Sequence, residues 1–295
     1  MSDFVSSFWS YLIIAISVGG IVGLFFLLRS NNIAGSAEPT GHVWDEDLVE
    51  LNNPLPRWWL MMFDATLVFA VVYFAVYPAL GDFKGYFGWT QVGQYEDEVK
   101  EMEASTAPLY AKYMATDIAV LAKDDDAIKT GGRIFQSYCA VCHGSDAGGA
   151  KGFPNLRDGD WLYGGTPADI ETTILHGRQG AMPPWRAAVG EEGAENLAAY
   201  ILSMGGRKHS DGSAAAGKAT FDAMCAGCHG MNGEGNTFLG APNLSDNIWL
   251  YGGSKRAIMA SILDGRNGNM PAHADFLGKE KVHVVSAYVY SLSQK

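Results

Sequence analysis

All four cysteines of the chain lie in two short segments of the same C-x-x-C-H pattern. The segments consist of Cys139, Cys142 and His143 and of Cys225, Cys228 and His229. Two thiols at this spacing can add across the two vinyl groups of one haem, and the adjacent imidazole is then held beneath the iron as an axial ligand. The residues therefore predict two covalently attached haem c groups and electron-transfer chemistry.

Other uses of paired cysteines fit this pattern less well. A zinc ribbon has about 15–20 residues between its two pairs, whereas 82 residues separate Cys142 from Cys225. A thioredoxin-like pair requires a βαβ setting, which the surrounding sequence lacks. Structural disulfides give no reason for a histidine directly after each pair.

The two segments belong to an internal repeat that covers the second half of the chain. The C-x-x-C-H segments are offset by 86 residues, and the motifs after them are offset by 88, because two residues are inserted after the second segment. The later matches are Pro154-Asn-Leu with Pro242-Asn-Leu, Trp161-Leu-Tyr-Gly-Gly with Trp249-Leu-Tyr-Gly-Gly, and Gly177-Arg178 with Gly265-Arg266. The repeat predicts two cytochrome domains, residues 127–207 and 213–295.

A methionine followed by proline occurs at the same position of both repeats. Met182 follows His143 by 39 residues, and Met270 follows His229 by 41. Methionine as the second axial ligand leaves no open coordination position, which suits electron transfer better than oxygen chemistry. Ligation within each repeat is the default expectation. The sequence leaves open an exchanged arrangement, in which each methionine serves the other haem.

Each repeat resembles a class I cytochrome c domain. In that family a glycine and an aromatic residue of the first helix pack against an aromatic residue of the last helix. The resemblance implies that Phe135 packs with Tyr200 and that Phe221 packs with Tyr288. It further implies contacts to the haem propionates from Trp161, Tyr163, Arg178, Trp249, Tyr251 and Arg266.

Two long apolar runs precede the repeats and predict two membrane-spanning helices. Residues 8–28 carry no charge, and residues 58–80 carry one, Asp64. A helical span needs about 20 apolar residues. A cleaved signal peptide is the alternative for the first run, but it is long for one, no Lys or Arg precedes it, and Arg29 closes it. Asp64 could serve a specific role or reach water near the headgroups.

The flanking charges predict how the chain crosses the membrane. Arg29 and Arg57 lie between the two spans, which places that loop in the cytoplasm. Both haem domains then lie in the periplasm of a bacterial inner membrane. The predicted segments are a first transmembrane helix at 1–30, a cytoplasmic loop at 31–56, a second transmembrane helix at 57–81 and a periplasmic connector at 82–126. The fold class is thus mainly α, with two transmembrane helices followed by two tandem class I cytochrome c domains.

The residues around the second span resemble one particular family. Asn53-Pro-Leu-Pro-Arg-Trp-Trp59, Tyr77-Pro-Ala-Leu-Gly81 and Gly88-Trp-Thr90 are similar to the CcoP (FixP) subunits of cbb3-type cytochrome c oxidases. This resemblance implies electron uptake from a donor cytochrome c. It implies relay to a monohaem cytochrome c subunit and a catalytic haem–copper subunit, which reduces oxygen to water with proton pumping. The isolated chain would then be no enzyme.

The charge of the chain limits the classes of partner. It has 32 acidic and 21 basic residues, for a net charge of -11. This balance argues against nucleic acid and favours salt-sensitive docking to a basic protein surface. Two other functions remain open: a free-standing, membrane-anchored dihaem cytochrome c carrier, and a dihaem peroxidase, which would need one haem able to open a coordination position.

Overall fold

The computed structural model describes residues 7–30 and 37–294 and is mainly α-helical. It divides into two packing units, Met1–Ser105 and Thr106–Lys295. The predicted fold class is confirmed. Parts of the predicted segments lie outside the described residues, namely positions 1–6 of the first span, 31–36 of the loop, and 295 at the end of the second repeat.

The first unit contains two long helices and a β-hairpin. Its elements are α1 (Ser7–Ser30), β1 (Glu38–Trp44), β2 (Leu48–Asn52), α2 (Arg57–Val76) and the start of α3 (Gln91–Met114). Helices α1 and α2 are long and apolar enough to cross a membrane, and neither has a buried residue. The antiparallel hairpin, which pairs Glu38 with Asn52 and Trp44 with Leu48, was not predicted.

The second span ends earlier than predicted. Helix α2 stops at Val76 rather than near residue 81, and Tyr77 is extended, with φ -112° and ψ 156°. Pro78 accounts for this end, because proline disfavours the helical conformation of the residue before it. The chain then turns back at Gly81, where the backbone N–H of Asp82 donates to Ser10 Oγ of α1 at 3.0 Å.

The second unit contains both repeats. Its elements are α4 (Ile118–Leu121), α5 (Asp125–Tyr138), α6 (Ala140–His143), α7 (Pro167–His176), β3 (Arg178–Met182), α8 (Arg186–Met204), α9 (Asp211–Met224), α10 (Ala226–His229), α11 (Lys255–Asp264), β4 (Arg266–Met270) and α12 (Ala274–Leu292). Repeat 1 denotes residues 127–207 and repeat 2 denotes residues 213–295. Each C-x-x-C-H segment begins directly after α5 or α9 and includes the whole of α6 or α10.

The last helices of the two repeats are exchanged. Helix α12 packs on α5 and α7, and α8 packs on α9 and α11. The predicted aromatic pairing was therefore wrong: Phe135 contacts Tyr288 with ring centroids 5.4 Å apart, and Phe221 contacts Tyr200 at 5.3 Å. Only residues 205–210 separate α8 from α9, and such a short connection favours antiparallel neighbours.

Strands β3 and β4 pair where the chain crosses between the repeats. Their antiparallel register places Arg178 opposite Met270 and Met182 opposite Arg266, with Gly180 facing Gly268 at the centre. The pairing is symmetric, because the pair of Arg178 with Met270 is matched by the equivalent pair of Arg266 with Met182. The two candidate methionine ligands therefore lie at opposite ends of this two-stranded sheet, each facing an arginine of the other repeat.

The connector before repeat 1 is fixed to this unit by a buried histidine. His283 of α12 is 8% exposed, and its ring nitrogens contact Glu171 Oε1 at 2.7 Å and the Thr116 carbonyl oxygen at 2.9 Å. Tyr113 and Leu121 are buried nearby against Val284. His283 therefore has a structural role, consistent with its lack of a repeated counterpart.

Candidate haem-binding sites

Each C-x-x-C-H segment has the same backbone conformation. The first cysteine ends a long helix and begins a one-turn helix that ends at the histidine, followed by a glycine at positive φ, which is +81° at Gly144 and +80° at Gly230. This conformation places both cysteines and the histidine of a segment within about one helical turn. Cys142 and Cys228 are exposed, Cys139 and Cys225 are half-buried, and none of the four forms a disulfide.

Both histidines are oriented by a proline carbonyl. His143 Nδ1 lies 2.9 Å from the Pro154 oxygen, and His229 Nδ1 lies 3.1 Å from the Pro242 oxygen. A carbonyl oxygen only accepts, so Nδ1 carries the proton and donates. This contact leaves Nε2 of each ring as the lone-pair nitrogen, which is the arrangement found for metal-bound histidines.

Burial favours the uncharged forms of both histidines and of Cys139. It lowers the pKa of His143 and of His229, and the hydrogen bonds to Pro154 and Pro242 oppose that shift only in part. Burial also raises the pKa of Cys139 to about 11, and a smaller contribution comes from Cys142. Redox-active cysteines have lowered pKa values. The electrostatics therefore favour a neutral imidazole ligand and oppose a thiol–disulfide function.

Each candidate methionine packs in the site of the other repeat. Met270 contacts an apolar cluster that contains Phe135 and Ile174, with Cys139, Leu156 and Trp161 at its edge. Met182 contacts the corresponding cluster of Phe221 and Ile262, with Cys225, Leu244 and Trp249 at its edge. The structure therefore brings each C-x-x-C-H segment together with the methionine of the other repeat and not with its own.

The predicted propionate contacts form two matching Tyr–Arg pairs. The Arg178 guanidinium lies 4.8 Å from the centroid of the Tyr163 ring, and that of Arg266 lies 4.6 Å from the Tyr251 ring. Each arginine also donates a side-chain hydrogen bond of 2.9 Å through Nε. Arg178 donates to the Thr173 hydroxyl, and Arg266 donates to the Ser261 hydroxyl. Tyr163 packs against Gly240 and Tyr251 against Gly152, so each tyrosine reaches the other repeat.

The second site contains two buried donors that lack a hydrogen-bond partner. These are Trp249 Nε1 and Arg207 Nη1, and the Arg207 guanidinium lies 5.4 Å from the centroid of the Trp249 ring. A buried unsatisfied donor is rare and requires an acceptor. A carboxylate such as a haem propionate meets that need, so the residues fit the group. Arg207 was not predicted as a site residue from the sequence, although the 88-residue offset places a second basic residue, Lys295, at the equivalent position.

Comparison with known proteins supports the same assignment. The family model described as "N-terminal domain of cytochrome oxidase-cbb3, FixP" matches residues 36–84. The one described as "Cytochrome C oxidase, cbb3-type, subunit III" matches residues 126–201 and 212–289. The chain is 48% identical to the cbb3-type cytochrome c oxidase subunit CcoP of Rubrivivax gelatinosus, over 100% of this chain and 98% of that protein. It is 40% identical to subunit FixP of Azorhizobium caulinodans, over 88% and 94%.

The chain belongs to the CcoP/FixP family. Its membership confirms the resemblance seen around the second span and in the repeats. As a CcoP/FixP protein it is an electron-transfer subunit of a cbb3-type cytochrome c oxidase, binds haem c and is associated with the membrane.

Proposed function

We propose that this chain carries two haem c groups and passes electrons from a donor cytochrome c toward the oxygen-reducing centre of the oxidase. The observation that carries the proposal is the duplicated histidine geometry, in which His143 and His229 each donate Nδ1–H to a proline carbonyl beside two free thiols. A chain with one such site would bind a single haem. Two equivalent sites within one packing unit would bind two haems, between which an electron can pass.

The chain's own residues have distinct roles at each site. The thiols of Cys139, Cys142, Cys225 and Cys228 would attach haem c covalently. Nε2 of His143 and His229 and the sulfur of Met182 and Met270 would ligate the iron. Haem c held by these residues would supply one-electron transfer. The apolar clusters exclude water, and the arginines of the Tyr–Arg pairs and Arg207 offset propionate charge.

The membrane arrangement follows from the two apolar helices. Helices α1 and α2 cross the bacterial inner membrane, the loop between them lies in the cytoplasm, and both haem sites lie in the periplasm. Support comes from the length and hydropathy of the helices and from Arg29 and Arg57 at their cytoplasmic ends. Haem c attachment outside the cytoplasm requires the same orientation.

The recipients of the electrons are the other oxidase subunits. The chain relays electrons to a monohaem cytochrome c subunit and from there to the catalytic haem–copper subunit, whose reaction is coupled to proton pumping. The acidic surface, with a net charge of -11, supports steering of a basic donor cytochrome. With both methionines as ligands the haems would have no open coordination position, and the isolated chain would be no enzyme by itself.

Purification from bacterial membranes in mild detergent tests the proposal. We expect two haem c groups per chain, co-purification with a haem–copper subunit, and oxygen uptake driven by a reduced cytochrome c. Replacing Cys225 and Cys228 with Ser should leave one haem per chain and abolish relay. The matched control is Met231→Ala, an exposed residue two positions after His229, which should retain both haems and full oxygen uptake.

Two results would favour the alternative functions. A lone dihaem chain without other subunits would indicate a free-standing carrier. Turnover of hydrogen peroxide by the purified chain would indicate a dihaem peroxidase. A haem content of one or none per chain would overturn the proposal itself.

A further inference from the structure

We propose that the β1–β2 hairpin is a docking element, which binds the Lys- and Arg-rich cytoplasmic loops of a membrane-spanning subunit of the oxidase. The hairpin covers Glu38–Asn52 and precedes α2 by four residues. The inference rests on the proposed function, because it presupposes that the loop between α1 and α2 lies in the cytoplasm beside the other oxidase subunits.

The described part of the chain leaves both faces of the hairpin uncovered. Every residue of β1 and of β2 is exposed. A two-stranded hairpin is at best marginally stable in water, and it gains stability from a third strand or from packing on another element. The conformation of this segment therefore calls for a surface that the described residues do not supply.

One face of the hairpin is occupied by contacts within the hairpin itself. The Thr40 hydroxyl donates to Glu50 Oε2 at 3.3 Å, and His42 Nδ1 lies 3.9 Å from the same oxygen. The rings of His42 and Trp44 have centroids 4.3 Å apart, and Leu48 lies opposite Trp44. The polar groups of this face therefore contact one another.

The opposite face of the hairpin is apolar throughout. The register pairs Pro39 with Leu51 and Val43 with Val49, and residues 49 and 51 lie on the same side of β2, so all four share one face. Val43, Val49 and Leu51 are 50%, 47% and 48% exposed. Contiguous exposed apolar side chains mark interaction sites, whereas scattered ones need no explanation. This apolar face is therefore the contact face.

The charge of the hairpin defines the chemistry of its partner. Residues 37–52 contain no Lys or Arg and five carboxylates, Glu38, Asp45, Glu46, Asp47 and Glu50. Three of these are consecutive at the tip, where the chain turns from β1 to β2. Cytoplasmic loops of membrane proteins carry an excess of Lys and Arg. The hairpin thus complements the surface that neighbouring subunits present on this side of the membrane.

The same charge argues against the lipid surface and against a second copy of the chain. The cytoplasmic leaflet is anionic and attracts basic segments, so it repels an element with five carboxylates. A second hairpin would bring five more carboxylates against the first. A basic protein surface with an apolar patch suits both the tip and the apolar face.

The connection to α2 limits where that surface can lie. Only residues 53–56 separate β2 from α2, so the hairpin stays within about 20 Å of the start of the span. Loops of a subunit that packs against α2 are within this distance. The hairpin therefore binds on the cytoplasmic side of the same subunit that contacts the span.

Site-specific cross-linking in intact membranes identifies what covers the hairpin. The photoreactive residue p-benzoylphenylalanine replaces Val43 of the apolar face or, as the matched control, Leu48 of the opposite face in the full-length chain. Irradiation and mass spectrometry should place the position-43 adduct in a Lys- and Arg-rich cytoplasmic loop of a membrane-spanning oxidase subunit, with much less adduct from position 48. An adduct with lipid, with a second copy or with a periplasmic loop would overturn the inference, and so would equal yields or no adduct.

Polar substitution of the apolar face should weaken association with the other subunits. The double variant Val43→Thr with Val49→Thr keeps β-branched side chains, which favour strands, but loses apolar contact. Its affinity for the affinity-tagged catalytic subunit in mild detergent should fall about tenfold. Leu48→Thr on the opposite face is the control and should leave the affinity nearly unchanged. Equal losses in the two variants would contradict the assignment of the contact face.

Neutralising the tip should remove the salt dependence of the association. The variant Asp45→Asn, Glu46→Gln, Asp47→Asn should bind more weakly at low salt and respond little to added NaCl, because salt screens the charges it lacks. The control places Gln, Asn and Gln at residues 96–98 of α3, three exposed carboxylates, for the same change in net charge. It should keep the salt dependence of the unmodified chain. Equal effects of both variants would contradict a specific role of the tip.

Failure of the proposed function would look different from failure of this inference. The unmodified chain would then carry fewer than two haems or would not co-purify with a haem–copper subunit. Normal haem content, co-purification and oxygen uptake, together with unchanged binding of the hairpin variants, would refute the docking role alone.

Discussion

Arg207 places a positive charge beside the half-buried indole of Trp249 in the site of repeat 2. Its Nη1 atom is buried and has no hydrogen-bond partner. Both side chains lie close to Gly253, where an added Cβ would collide with them. A cation near a haem iron favours the reduced state, which carries one positive charge less.

Arg207→Gln should lower the midpoint potential of one haem and leave the other nearly unchanged. The expected shift is on the order of 59 mV, which is a tenfold change in a one-electron equilibrium. A spectroscopic redox titration of the full chain measures both potentials. The control is Arg256→Gln, an exposed residue of α11. Equal shifts in the two variants would argue against a local role of Arg207.

Three carboxylates from the two repeats lie close together beside the sites. Burial raises the pKa of Asp160, and Asp246 and Asp158 raise it further. A raised pKa means that the folded chain binds more protons than the unfolded chain. Stability therefore falls as the pH rises from the ordinary value of about 3.9 through the raised one.

Asp160→Asn should stabilise the chain at neutral pH and have little effect at low pH. The cost of the charge grows as the pH rises through the raised pKa. It disappears well below the ordinary pKa of about 3.9, where the carboxyl is protonated in both states. Thermal unfolding followed by circular dichroism from about pH 3 to 8 tests this. Glu192→Gln, at an exposed position, should show no such trend. A gain for Asp160→Asn that is independent of pH would refute the electrostatic explanation.

Among the elements, α1 and α2 are joined by an ion pair between their polar positions. Arg29 Nη2 donates to both carboxylate oxygens of Asp64, at 3.2 and 3.1 Å. The sequence left open a specific role for Asp64 or contact with water near the headgroups. The ion pair with Arg29 favours a specific role, which is to join α2 to α1. A charge in an apolar helix needs a partner, and the pair also fixes the rotation of one helix against the other.

Arg29→Leu should destabilise the helix pair by about 0.5–1.5 kcal/mol, the range for polar contacts between membrane helices. The double variant Arg29→Leu with Asp64→Leu should recover most of this loss, because no unpaired charge remains. Unfolding of the full chain in lipid nanodiscs, followed by circular dichroism, measures both. Arg57→Leu is the control for loss of a positive charge from the same loop. A double variant no better than Arg29→Leu would show that the pair does not hold the helices.

At the scale of the whole molecule, the two repeats interlock within one packing unit, described over residues 106–294. Each half of this unit contains helices from both repeats, and the three apolar clusters each draw on more than one part of the chain. Neither repeat has a complete core without the other. Unfolding should therefore be one cooperative transition for both sites.

Phe221→Ala should destabilise both sites together. Phe221 is fully buried, and removing such a ring costs about 3–5 kcal/mol. Denaturant unfolding of the haem-loaded chain, followed by haem absorbance and circular dichroism, should show one transition displaced to lower denaturant. The control is Phe238→Ala, because that ring is 92% exposed. Two separate transitions, with only one displaced, would contradict the interlocked arrangement.

Chemistry and repeat were predictable from sequence, but the helix pairing was not. The C-x-x-C-H pattern and the offsets of 86 and 88 residues predict the attachment residues and the two methionine ligands. The helix contacts use the same residue types in both repeats, Phe135 and Phe221 against Tyr200 and Tyr288. Pairing within and between repeats therefore buries nearly the same side chains. The short connection at residues 205–210 favours packing of α8 against α9. The resemblance to class I domains implied instead that the first and last helices pair within each repeat.

Because the last helices of the repeats are exchanged, the two sites receive their parts in a different order during synthesis and export. Met182 precedes His229 by 47 residues, whereas Met270 follows His143 by 127. Since synthesis starts at the N-terminus, Met182 is made before the second attachment segment, Cys225 to His229. The first segment waits until α12, the last helix, has been delivered. The first attachment segment would thus remain without its packed last helix for longer than the second.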